Sequence, residues 1–89
     1  MRISQEKKKK IQEQILAFLY SKNPQPMFIL HIAREIARDE EFTKKLLFDL
    51  KKKELVVEIK KNNKGKIYLR RSRWKLTEEV YQTYKIHQQ

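Results

Sequence analysis

Lys44, Lys45 and Lys52 lie on or beside one stripe of a helical segment, with Phe48 set among them. An ammonium group in such a stripe can donate to guanine O6 and N7 in a major groove or pair with phosphate, and an aromatic ring can pack on a thymine methyl. A few residues on, Lys60, Lys61, Asn62, Asn63, Lys64, Lys66, Arg70, Arg71 and Arg73 form the densest basic cluster of the chain. Each such charge that neutralises a phosphate releases condensed counterions, so the cluster suits a nucleic-acid backbone. The plain alternative for the stripe is a solvated helix face with Phe48 tucked against the wing or a partner subunit. For the cluster it is a charged edge hairpin that avoids sheet-to-sheet aggregation. Edge protection needs only a few charges, which favours the nucleic-acid reading.

Catalytic chemistry has little to stand on. No serine has a credible base partner, there is no cysteine, and the only glycine, Gly65, cannot build a glycine-rich phosphate loop. Without cysteine there are no disulfides, thiolate metal sites or thiolate nucleophiles. His31 and Glu35 stand four apart on a helical segment, a spacing that can place two ligands on one metal. One such pair, with no other His nearby in sequence, reads as structural. The chain is therefore expected to be a non-enzyme with no metal and no cofactor.

Charge sets the partner class. The 89 residues are expected to form one domain, 1–89, around one small core. They carry 22 Lys+Arg against 11 Asp+Glu, a formal charge of +11, which makes a long-range field attractive to polyanions. A solvated lysine-rich surface kept for solubility or heat resistance is the alternative. No apolar run approaches the roughly 20 residues that cross a bilayer. The N-terminus has charge without the apolar core of a secretory signal. A cytoplasmic setting without membrane is the expectation, and the Lys-rich, Cys-free composition fits a thermophile or its virus, an archaeal or viral source. Apolar residues are only 39% of the chain, yet their regular recurrence argues against disorder.

The elements that must position these residues follow from periodicity. Ile11, Ile15, Phe18 and Leu19 form one apolar stripe, predicting a helix from Ser4, its N-cap, to about Lys22. Asn23-Pro24-Gln25-Pro26 stops it. A second helix is expected from Met27 to about Arg38, burying Ile29, Ile32, Ala33, Ile36 and Ala37. A third, over 40–53, opens on Asp39-Glu40-Glu41, turns Thr43, Leu46, Leu47 and Leu50 inward, and puts Glu41, Lys45, Phe48 and Lys52 outward, with Lys44 and Lys51 on the flank. After Glu54 the period becomes alternating, with Val57, Ile59, Ile67 and Leu69 on one face and Glu58, Lys60, Tyr68 and Arg70 on the other. Asn62-Asn63-Lys64-Gly65 tolerates positive φ and reads as the hairpin turn. Trp74 is expected to fill the space beside the third helix. Thr77 can cap a last helix whose Leu76, Val80 and Tyr84 share a stripe. Tyr81 and Tyr84 there are a candidate dimer surface, or pack on the first helix.

This pattern resembles the winged helix-turn-helix superfamily over about residues 8–85. Ile32-Ala33, Ile36, Thr43, Leu47, Leu50 and Leu55-Val56 fall on the family's offsets, and Trp74-Lys75-Leu76-Thr77 is similar to its step into a C-terminal helix. The resemblance implies an α+β, mainly α fold: three helices, a two-stranded hairpin wing over 57–71 and a C-terminal helix. It also implies double-stranded DNA as partner, a sequence-specific small transcription regulator, and dimerisation through terminal helices. Such a regulator would act by occupying a promoter, with no room for a separate effector domain. Two residues depart from the pattern: Glu54 stands where the family has glycine, and carboxylates open the recognition helix, where they repel phosphate although Glu can accept from cytosine N4. Lys44, Phe48 and Trp74 also fall on three positions of the Zα domains that bind left-handed DNA, with Lys for Asn, Phe for Tyr and no Pro-Pro before the Trp. A protein- or RNA-interaction module and a non-specific chromatin-type protein are the other classes these features allow.

Overall fold

The computed structural model describes residues 4–60 and 72–87. The order is α1 (Gln5–Lys22), β1 (Met27–Phe28), α2 (Ile29–Ile36), α3 (Glu40–Lys52), β2 (Val56–Ile59), β3 (Arg73–Leu76) and α4 (Glu78–His87). Four helices with a small antiparallel sheet give an α+β, mainly α fold, the winged helix. Among the described residues no helix is long and apolar enough to cross a membrane.

Local chemistry accounts for most helix ends. Ser4 caps α1 by accepting from the Lys7 amide at 3.2 Å. Asp39 caps α3, its Oδ1 accepting from the Phe42 amide at 2.7 Å, and its charge lies at the positive end of the helix dipole. The carboxylates that open this helix thus have a local structural use. Thr77 Oγ1 accepts from the Val80 amide at 3.4 Å at the start of α4, while the Thr77 amide donates to the Leu55 carbonyl at 3.1 Å.

Both helices of the helix-turn-helix end in the same geometry. After α2 the Arg38 amide donates to the Ala33 carbonyl and the Ala37 amide to Arg34. After α3 the Leu55 amide donates to Leu50 and the Glu54 amide to Lys51. These are Schellman closures, which need a left-handed residue. Ala37, at φ 56°, and Glu54, at φ 62°, supply it without being glycine. Glu54 therefore ends α3 by taking up a left-handed geometry that a glycine would adopt more easily. A β-carbon there is strained, so Ala37→Gly and Glu54→Gly are each expected to raise stability by about 0.5–1 kcal/mol, after the entropy a glycine costs in the unfolded chain. The check is a higher urea midpoint at unchanged m-value.

The core joins Ile11, Ile15, Leu16 and Leu19 of α1, Ile32 and Ile36 of α2, Leu46, Leu47 and Leu50 of α3, and Val56, Trp74 and Leu76 of the sheet. Thr43, Leu46, Leu47 and Leu50 are inward as their spacing predicts. Thr43 returns its hydroxyl hydrogen bond to the Asp39 carbonyl at 2.8 Å. Gln12 is buried beside the α1 stripe because its Nε2 donates to Asp49 Oδ2 at 2.9 Å, joining α1 to α3.

Several expectations need correction. The second helix starts at Ile29, not Met27, and ends at Ile36 rather than about Arg38. Met27–Phe28 is instead a short strand paired to β3, so among the described residues the two wing strands β2 and β3 are joined by a third, in the order β1-β3-β2. Ala37 is exposed, because it forms the left-handed turn and not the buried helix face. The third helix stops at Lys52, with Lys53 as its C-cap. The strand leading into the wing begins at Val56, not Val57. Val56 is buried and Val57 is 39% exposed, so the face carrying Val57 does not turn to the core. The wing positions 61–71 lie outside the described residues.

Candidate nucleic-acid interface

The Schellman turn after α2 and the Asp39 cap orient α3 so that its apolar side packs on the core. Lys44, Lys45, Phe48, Lys51 and Lys52 are all left exposed. Lys44, Lys45, Phe48 and Lys52 thus share one surface, as their spacing predicts. Lys60 is exposed just beyond the end of β2. Arg73 is half-buried in β3, opposite Phe28 on one side and Ile59 on the other, and so belongs to the sheet more than to a solvated wing tip. Lys61, Asn62, Asn63, Lys64, Lys66, Arg70 and Arg71 lie outside the described residues.

At the junction of α3 with the sheet the side chains converge. Phe48 is 38% exposed, and its ring meets that of the fully buried Trp74 at 5.6 Å and 90°. Lys44 Nζ lies 5.9 Å and Lys51 Nζ 5.7 Å from the Phe48 centroid, within cation–π range. Lys51 is also tied to Glu58 of β2 at 2.9 Å. Sequence spacing put Lys51 on the flank of the stripe but did not count it as a site residue. The missed signal is its position three residues after Phe48, one helical turn on, facing the only acidic residue of β2.

Glu58 is tuned by two opposing effects. Burial pushes its carboxyl up, but hydrogen bonds from Lys51 and Ser72, with the charges of Lys51 and Lys60, outweigh it and hold the group below the ordinary carboxylate range. The Gln12 amide holds Asp49 low in the same sense, against burial and with help from Lys53. A carboxyl depressed in the folded state adds stability above its unfolded pKa and loses it as pH falls through the folded pKa. Thermal stability is therefore expected to drop below about pH 4. Asp49→Asn should show a weaker acid dependence in thermal melts across that range.

Tyr81 and Tyr84 pack within the chain. Their rings lie 5.4 and 5.5 Å from that of Tyr20 on α1, and both residues are half-buried. Burial first, then the charge of Glu13, pushes the Tyr84 hydroxyl above the ordinary phenol value. His31 and Glu35 are both exposed on α2, and among the described residues no group of three or more His, Cys, Asp or Glu is placed to hold a metal.

A helix-turn-helix with an exposed basic second helix, beside the antiparallel β2–β3 pair, has the winged-helix fold. No family model matches the sequence, and no curated protein matches it either. Solved structures do. The chain is similar to the MepR–DNA complex of Staphylococcus aureus, with a TM-score of 0.73 and 20% identity over 88% of this chain and 60% of that one. It is similar to MepR, a transcription regulator of the S. aureus multidrug efflux pump MepA, with a TM-score of 0.70 and 20% identity over 88% of this chain and 53% of that one. It also resembles a ZitR variant from Lactococcus lactis in apo form, with a TM-score of 0.70 and 25% identity over 93% of this chain and 58% of that one. The chain thus spans about half to three-fifths of the length of these structures.

Proposed function

We propose that this chain binds double-stranded DNA as a sequence-specific transcription regulator and is not an enzyme. α3 enters the major groove, and the hairpin follows the flanking backbone. The observation that carries this reading is the exposed α3 surface of Lys44, Lys45, Phe48, Lys51 and Lys52, on a fold similar to one solved on DNA. Residues 1–89 act as one binding unit in an intracellular setting. Within it, Lys44, Lys45 and Lys52 read or steer, Phe48 contacts base edges, and the basic hairpin with Lys60, Lys61, Asn62, Asn63, Lys64, Lys66, Arg70, Arg71 and Arg73 clamps phosphate. A homodimer through the terminal helices is the finer part of the proposal. Ile86 on α4, 69% exposed, supports it, since Tyr81 and Tyr84 are already half-occupied by Tyr20.

The division of labour between helix and hairpin is testable on a panel of unrelated duplexes. Lys45→Glu is expected to change site choice as well as affinity, because a helix side chain faces base edges. Lys64→Glu is expected to weaken every duplex about equally, because a backbone contact carries no sequence information. Equal losses for both variants on every duplex would show that helix and hairpin do not differ in role.

A further inference from the structure

We propose that Phe48 reads the 5-methyl group of a pyrimidine in the major groove, so that 5-methylcytosine can replace thymine at that position of the target. The inference rests on the duplex-DNA reading and assigns one contact within it.

Phe48 is the only large apolar side chain exposed on α3, and it stands among lysines. Its ring is already ordered, held at 90° on Trp74, which is itself 0% exposed. A ring fixed before binding loses little rotamer freedom when it docks. Lys51 is held by Glu58 at 2.9 Å, so its stem and ammonium help fix one side of the ring. The result is a small apolar spot framed by cations that suit the phosphates on either side.

Base edges offer that spot few partners. Guanine, adenine and unmodified cytosine present donors or acceptors in the major groove, and a phenyl ring laid on them leaves those groups unpaired. The C5 methyl of thymine is the apolar exception, and 5-methylcytosine carries the same methyl at the same atom. Burying one methyl is worth about a fourfold change in affinity. Cytosine methylation in a target would thus act as a switch on binding.

The test uses the full chain and a duplex recovered from a random pool. Each thymine is replaced in turn by uracil, which removes the methyl alone. Wild-type protein is expected to lose about fourfold at one thymine. At that position 5-methylcytosine paired with guanine should bind about fourfold tighter than cytosine paired with guanine. Phe48→Ala, with far-ultraviolet dichroism used to confirm folding, should show neither preference. Tolerance of uracil at every thymine by wild-type protein would overturn the inference while leaving DNA binding intact. Persistence of the uracil penalty in folded Phe48→Ala would also overturn it. If Phe48→Ala does not fold, Phe48→Gln, which keeps the side-chain length but not the apolar ring, takes its place, and persistence of the uracil penalty in it would overturn the inference. Failure to recover any duplex would overturn the DNA reading and this inference together.

Discussion

Trp74→Ala is expected to destabilise the chain by about 3–5 kcal/mol, the cost of removing a fully buried aromatic and leaving a cavity. Trp74 lies on the middle strand of the sheet, opposite Met27 on β1 and Glu58 on β2, and meets Phe48 of α3. A domain of this size holds a total of about 4–13 kcal/mol, so the substitution takes a large share and can unfold the protein at 37 °C. Trp74→Phe keeps most of the apolar volume and is expected to cost about half as much or less. Urea denaturation followed by far-ultraviolet dichroism measures both. A cost below about 1 kcal/mol for Trp74→Ala would mean that the sheet and α3 do not depend on this contact.

The second large effect is electrostatic. A duplex binder with six phosphate contacts has a log–log salt slope of about −5.4, so affinity falls roughly a thousandfold between 50 and 200 mM salt. If Lys44, Lys45 and Lys52 each neutralise one phosphate, changing all three to alanine removes about 2.7 from that slope. The same salt step then costs only about 40-fold. All three are exposed on α3 outside the core, so the variant is expected to melt within about 1 kcal/mol of wild type. Fluorescence anisotropy on one labelled duplex at several salt concentrations gives both slopes. An unchanged slope in the triple variant would remove α3 from the phosphate interface and leave the hairpin as its basic element.

Much of the fold was legible because its signals are local. The α1 and α3 stripes, the Ser4 and Asp39 caps and the Thr77 start of α4 depend on residues within a turn of one another. What the sequence hid is non-local. Met27–Phe28 is a strand only because β3, far along the chain, pairs with it, and two residues cannot display an alternation. Adjacent Val56 and Val57 left the inward face of β2 ambiguous, and packing against the core decides for Val56. Gln12 reads as polar and hence solvated, until Asp49 on α3 supplies its partner. Glu54 was visible as a departure from the family pattern, but its positive φ was not.

The candidate site was legible by a different route. Spacing along α3 put Lys45, Phe48 and Lys52 on one stripe with Lys44 beside it, and all four are exposed. Resemblance to the Zα pattern singled out Lys44, Phe48 and Trp74, and these three do meet in space. Lys51 was undervalued because its role depends on Glu58, across the turn after α3. Arg73 looked like part of the basic cluster, but strand pairing on both sides of β3 draws it into the sheet.

The central claim is that this winged helix binds duplex DNA with sequence preference through α3. Selection from a random duplex pool, carried out at two salt concentrations, tests it most directly. The expected result is salt-sensitive recovery of a defined motif, palindromic if the chain acts as a two-fold dimer. Recovery of no duplex even at low salt would contradict the claim.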